Sequence, residues 1–428
     1  MGGVAIKHLA RSWSFTSDLV RTHPRRITLL GVLSLELVFL VAQYGLGTDA
    51  LFYADGGIAI LHQNNPFIDP PFTDPRFSIG PAAAVALALL RSITIWQSAF
   101  LLGIALLNLL GALMFLRLVV PKLTFDDTLI VLSILPLTAA YRVGFADGQM
   151  AGILLLLLVT ARRLTLSSFA PWRLVTGGLL ATAAFDLKPH IALVFFLVFA
   201  FELGIRRILA WMATVVVFHL AVNIWLSRWY EADWLHVIQR LAARATENRI
   251  EQSPWQPFSN ASVEPTWVLL LQYSTLIAAF IGVALVARTG RISLALICAA
   301  TVPLLLAYQH MYDPIGLAVI AVSAQLIFRH VTIAALLLGF LFLPATDVQP
   351  LSLLIACGQA LLVLTLTSTD LRFKDLSRRF LALIAPIVLL GLAQISKIAE
   401  PWEIFSGFLI LQLLAAIAFL RYLWRHLS

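Results

Sequence analysis

The sequence predicts an all-α polytopic integral membrane protein, and three observations carry that expectation. Of 428 residues, 60% are hydrophobic and only 12% charged, against roughly 45–50% and 25% in soluble domains. Apolar runs recur from Ile27 to Leu420. Runs of ~20 residues cross a bilayer core as helices, the conformation that satisfies every backbone group without water. Lys and Arg gather at alternate ends of these runs, as they do in cytoplasmic loops.

The opening arm, 1–26, is basic and lacks the short apolar region and small-residue cleavage site of a secretory leader, so it reads as a retained cytoplasmic segment. The remainder, 27–428, reads as one transmembrane domain. Crossings are expected near 27–45, 96–119, 126–141, 149–161, 174–186, 190–204, 208–227, 266–287, 292–308, 314–328, 331–345, 350–367, 380–396 and 404–420. Some runs are shorter than ~17 residues, so pairs such as 174–186 and 190–204 read as broken or half-spanning helices, and about 12–14 crossings are expected.

With the N-terminus inside, most of the 30 Lys and Arg fall at cytoplasmic ends, and most of the 22 acids fall on the other side. Both termini are then cytoplasmic, in what reads as a bacterial inner membrane. The net charge of +8 and pI near 9.8 are explained by basic loops facing an anionic leaflet, with no nucleic-acid partner required. Cys298 and Cys357 lie in apolar runs, away from His or another Cys, which predicts neither a disulfide nor a thiolate metal site.

Two large exoplasmic segments follow from this topology. The first, 46–95, holds two helix-like stretches, "YADGGIAILHQ" and "FSIGPAAAVALALLRSITIW", read as helices along the membrane surface. Between them, "NNPFIDPPFTDPRF" has the Pro, Asn and Asp chemistry of turns. The helix would begin near Asp49. At ~100° per residue, Tyr53 lies within ~40° of Asp49 and Gly56 within ~20°, whereas Asp55 is turned by ~240° and points elsewhere. The second segment, 228–265, carries Arg240, Arg244 and Arg249 on an amphipathic stretch that reads as a surface helix or a phosphate-binding one. Glu231 and Asp233 precede it, as partners of a helix N-terminus or as ligands of a hard divalent cation. No cofactor is expected.

Polar groups cluster at the same end of the bundle. "YRVGFADGQMAG" contributes Tyr141, Arg142, Asp147 and Gln149; "FDLKPHIA" contributes Asp186, Lys188 and His190; "YQHMYDPIG" contributes His310 and Asp313. Charges beside lipid are paired or functional, and a shared polar cavity is expected here. Glu36 and His219 read as structural, each satisfied by a neighbouring helix. Asp126 and Asp127 lie on the cytoplasmic side, where acids suit a helix N-terminus.

These residues resemble the polytopic glycosyltransferases of the GT-C fold, most closely glycosyltransferase family 87, over most of the chain up to about Arg329. The resemblance rests on Asp49 and Tyr53 opening the first exoplasmic segment, followed by "GGIAILHQN" and "NPF". It continues in "GQMAGILLLLL", in "LKPHIALVF" between half-length helices, and in His310 of a late exoplasmic turn. The chain departs from the family where "SIGP" stands for Tyr-Pro-Pro and where Met150 and Ala151 follow Gly-Gln in place of Asn. The resemblance implies a GT-C-type bundle and transfer of a single sugar, such as mannose, from a polyprenyl-phosphate carrier. It implies Asp49 as catalytic base, Lys188 and His310 near the donor phosphate, and Tyr53 and Gln149 as substrate contacts.

The residues themselves lead to a similar chemistry. An exoplasmic site in an apolar bundle is best supplied by a lipid-linked sugar, since nucleotide sugars are cytoplasmic. Departing phosphate needs cations, for which Lys188, Arg142 and the arginines of 228–265 are available. The acceptor, a glycolipid or glycan, needs a carboxylate to take its proton, and direct displacement with one base inverts the anomeric centre. Two other readings stay open: a lipid-linked-sugar flippase or transporter, which would place polar residues at the bilayer midplane, and an O-antigen ligase or polymerase-like enzyme.

Overall fold

Small residues decide how the first two helices pack. In the computed structural model, α1 (Thr48–Leu61) and α2 (Pro81–Ser92) pack together, with Gly57 against Ala84 and Ala88, and Ala50 and Ala54 of α1 are buried. Gly57 sits so close to the Ala84 carbonyl that a Cβ there would overlap it, an approach that only glycine permits. The structure describes residues 48–66, 79–94, 96–121, 123–138, 149–167, 170–226, 265–305, 315–327, 373–396 and 401–426, with single residues at 31, 141 and 339. Among these it is all-α, with no strand.

Local chemistry sets the ends of the following helices. α3 (Gln97–Val119) precedes α4 (Phe125–Ile134), which runs into a 3-10 turn at Leu135–Leu137. Thr124 caps α4 reciprocally: its hydroxyl accepts from the Asp127 N–H at 3.1 Å, and the Asp127 carboxylate accepts from the Thr124 N–H at 3.3 Å. This capping box accounts for Asp127 as a helix-start residue. α5 (Ala151–Ser167) is followed by α6 (Pro171–Leu187) and α7 (Pro189–Leu203), which are separated only by Lys188. Pro189 explains the break, because it has no N–H to continue α6 and its fixed φ suits the first position of a new helix. Gly204, at φ +86°, then turns the chain into α8 (Ile205–Trp225). The sequence expectation of paired half-length helices at 174–186 and 190–204 is realised as α6 and α7.

The remaining described helices are α9 (Pro265–Arg288), α10 (Ile292–Thr301) with a 3-10 turn at Val302–Leu305, α11 (Ile315–Ile327), α12 (Phe373–Ser396) and α13 (Pro401–His426). Most of the runs expected at 27–45 and 331–345, and all of that at 350–367, lie outside the described residues.

The helices bury a continuous apolar core. α3 packs on α5, α5 on α6, and α6 on both α2 and α8, while α7 touches α5, α6, α8, α9 and α10. Phe115, Phe195, Phe199 and Trp211 are fully buried at the centre, with the Phe115 and Phe195 rings edge-to-face at 5.8 Å. The one polar atom of Trp211 is satisfied there, since its Nε1 donates to Thr165 Oγ1 at 3.2 Å. Near the basic end, Arg162 of α5 donates to both carboxylate oxygens of Glu202 on α7, with Nε to Oε2 at 2.5 Å.

Outward faces are apolar as well. Leu209, Val216, Val217 and Ile224 of α8, and Leu270, Ile277, Ile281 and Leu285 of α9, are all exposed. Contiguous exposure of this kind marks a surface made for an apolar neighbour. Three described helical stretches are long and apolar enough to cross a membrane: Gln97–Val119, Ile205–Trp225 and Leu270–Arg288. The first exoplasmic segment was expected to form surface helices. α2 packs on its neighbours along one face, burying Pro81, Ala83, Ala84, Leu87 and Ala88, and leaves Leu89 exposed on the other.

Candidate functional site

Two of the residues singled out from sequence meet directly. Asp49 lies in the first turn of α1, and Gln149 lies just ahead of α5, a hundred residues later. The Gln149 side-chain amide donates from Nε2 to Asp49 Oδ2 at 2.7 Å, a hydrogen bond to a charged group and therefore one of the stronger kind. Tyr53, one turn beyond Asp49, is 3% exposed, and Gly56 is also buried. The face predicted to contain Asp49, Tyr53 and Gly56 thus turns inward.

Asp55 points elsewhere, as the helical period requires. Its carboxylate pairs with Arg91 of α2, both side chains remaining substantially exposed. α1 is an unbroken helix between the two aspartates, so the ~240° turn holds.

Asn108 of α3 holds Gln149 in place and was missed in the sequence. Its Nδ2 donates to the Gln149 carbonyl at 3.1 Å, and its Oδ1 accepts from the Ile153 N–H at 3.0 Å. A side chain from one helix thereby caps the start of another, satisfying an otherwise orphan donor of α5. Gly111 and Gly152 allow the approach, since a Cβ on either would overlap backbone of the facing helix. The available signal was a lone Asn inside an apolar run, an expensive residue in such a setting unless it has partners. Nearby, Tyr141 donates from its hydroxyl to the Ala105 carbonyl at 2.9 Å.

The pair is recessed. Along α3, Asn108 lies about 16 Å from Gln97 at ~1.5 Å rise per residue, and along α5 Arg162 lies about 20 Å from Gln149. Asp49 and Gln149 are therefore level with the middle of α3.

Lys188 occupies the break between α6 and α7 in extended backbone geometry, φ −155° and ψ 93°, and is half-buried. Two residues earlier, Asp186 is completely buried. Its Oδ2 accepts from the Ala82 N–H of α2 at 2.5 Å, and its Oδ1 lies 2.8 Å from His219 Nε2 on α8. Asp186 was expected in a shared polar cavity; its carboxylate instead caps α2 from a different helix. His219 is satisfied by a neighbouring helix, as the sequence suggested. Arg142, Asp147, His310 and Asp313 lie outside the described residues, as do Glu231, Asp233, Arg240, Arg244 and Arg249. Among the described residues, no group of three His, Cys, Asp or Glu is placed to hold a metal ion.

Compared with protein-family models, curated proteins and solved structures, the chain matches none of them.

Proposed function

We propose that the protein is a polytopic membrane glycosyltransferase of the GT-C type. In this reading it transfers one sugar from a polyprenyl-phosphate carrier to a hydroxyl of a glycolipid or glycan at the exoplasmic face. The observation that carries the reading is the Asp49–Gln149 pair, a carboxylate oriented by a side-chain amide and recessed in a bundle whose outer faces are apolar. A carboxylate so fixed suits a general base, because its useful orientation is set before substrate arrives.

The chemistry balances with one base and one cation. Asp49 takes the proton of the acceptor hydroxyl as that oxygen bonds to the anomeric carbon. The bond from this carbon to the phosphate oxygen breaks, and polyprenyl phosphate leaves with the electron pair. Attack from the opposite face inverts the configuration. Lys188, beside the N-terminus of α7, supplies positive charge where the leaving phosphate gains negative charge, and the helix dipole has the same sign. Gln149 orients the base and Tyr53 lines the same side of α1. No metal step is invoked.

The test uses purified protein in detergent, offered a panel of polyprenyl-phosphate sugars with a glycolipid acceptor. Release of polyprenyl phosphate is expected with one of them, and none with a nucleotide sugar alone. Turnover of a nucleotide sugar without lipid carrier would overturn the reading.

One observation favours a second reading. The pair lies level with the middle of α3, and a lipid-linked-sugar flippase would carry its polar residues at the bilayer midplane. Sugar translocation in proteoliposomes, without cleavage of the carrier bond in detergent, would select that alternative.

A further inference from the structure

Asp186 is two residues from Lys188, yet its carboxylate is spent on α2. The first turn of any helix has N–H groups without intrahelical partners, and a local Ser, Thr, Asp or Asn ordinarily caps them. Here the N-cap position is Gly80, which has no side chain with which to cap. The Gly80 N–H donates to the Asp186 carbonyl at 2.8 Å and the Ala82 N–H to Asp186 Oδ2 at 2.5 Å. A Cβ at Gly80 would land on the Asp186 carboxyl group. Gly80 is therefore the residue that lets α6 dock against the start of α2, at a backbone angle of φ −77° and ψ 166° that serine would adopt equally well. His219 of α8 holds the other oxygen of the same carboxylate.

Three helices converge on this one buried group, and it sits between two parts of the proposed site. On one side the chain reaches Lys188 and the start of α7. On the other, α2 packs through Ala84 onto Gly57 of α1, and the first turn of α1 carries Asp49. A local cap would have closed the helix without tying it to α6. A buried carboxyl group is costly to leave without its partners, and here those partners belong to two other helices.

We propose that Asp186, braced by His219, is a positioning residue: it fixes α2 and therefore α1 against the end of α6, setting the distance between the base Asp49 and the cation Lys188. The assignment rests on the proposed function for its catalytic consequence but not for the mooring itself.

The test moves the cap without restoring the tether. Asp186→Gly with Gly80→Ser removes the carboxylate together with the Cβ that a serine at 80 would meet, and supplies a local hydroxyl N-cap in the space vacated. Spin labels at exposed Leu89 of α2 and exposed Leu179 of α6 (Leu89→Cys and Leu179→Cys, in a Cys298→Ser, Cys357→Ser background) report the separation of the two helices in detergent. The double variant should broaden the distance distribution about twofold or more. It should also lower kcat about tenfold or more, with donor KM within about twofold of wild type, because misplacing a reacting group by an ångström costs up to about 10²-fold.

An unchanged distribution together with restored kcat would show that Asp186 is only a cap, and would overturn the proposal. Broadening in a protein whose parent has no transferase activity would uphold the mooring and refute the proposed function instead. Should the glycine variant fail to fold, Asp186→Asn with Gly80 left in place, which keeps the shape of the side chain and removes its carboxylate, decides by the same two readouts.

Discussion

At the scale of single residues, Asp49 and Asp55 have separate fates. Asp49 is held by Gln149 and Asp55 by Arg91, so substitution at each has a distinct expected outcome. Asp49→Asn keeps the size and the acceptor for Gln149 but removes the base, and sugar transfer should fall by at least about 10²-fold while donor binding persists. Asp55→Asn should retain most activity and alter stability by no more than about 1 kcal/mol, as befits an exposed ion pair. Paired transfer assays and thermal-shift curves check both, and an inactive Asp55→Asn beside an active Asp49→Asn would reverse the assignment. Gln149→Ala removes one charge-assisted hydrogen bond, worth about 1.5–3 kcal/mol, and should lower kcat by roughly ten- to a hundredfold with donor KM unchanged. A rise in donor KM at constant kcat would make Gln149 a donor contact.

At the scale of elements, backbone contacts through glycine hold the site together. Gly57 packs α1 on α2, and Gly111 meets Gly152 where α3 crosses the start of α5. Gly57→Leu forces these helices apart and should destabilise the protein by about 1–3 kcal/mol, the usual cost of overpacking. It should also reduce transfer, since α1 carries Asp49. A comparison at the far end separates stability from site geometry: Thr124→Ala breaks the capping box of α4 and should cost about 1 kcal/mol with transfer by the folded fraction unchanged. Thermal-shift midpoints and specific activities of the two variants together are the measurement. Equal loss of specific activity in both would deny the site its dependence on α1 packing.

At the scale of the whole molecule, the proposed topology places the basic turns in the cytoplasm. Arg206 at the start of α8 and Leu61 at the end of α1 are both exposed, and they should lie on opposite sides. A membrane-impermeant maleimide added to intact cells should label Leu61→Cys and leave Arg206→Cys unlabelled until the membrane is opened. The inverse pattern would place Asp49 in the cytoplasm and remove the reason for a lipid-linked donor.

The sequence by itself determined helicity and many helix boundaries, because both depend on local chemistry. Pro81, Pro171, Pro189 and Pro265 each stand at the first position of a helix, Gly204 and Gly290 turn with positive φ, and Thr124 with Asp127 spells a cap. The divergence of Asp49 and Asp55 was likewise legible, since it needs only a regular helix. Tertiary structure alone decided which polar group meets which. Gln149 reaches Asp49 across 100 residues, Asp186 reaches Ala82 across 104, and Asn108 serves two backbone atoms beyond its own helix. Helical periodicity tells which residues share a face but not which helix that face will meet. In an apolar bundle, packing of small residues such as Gly57, Gly80 and Gly152 chooses the neighbour, and the buried polar groups find their partners only after that choice is made.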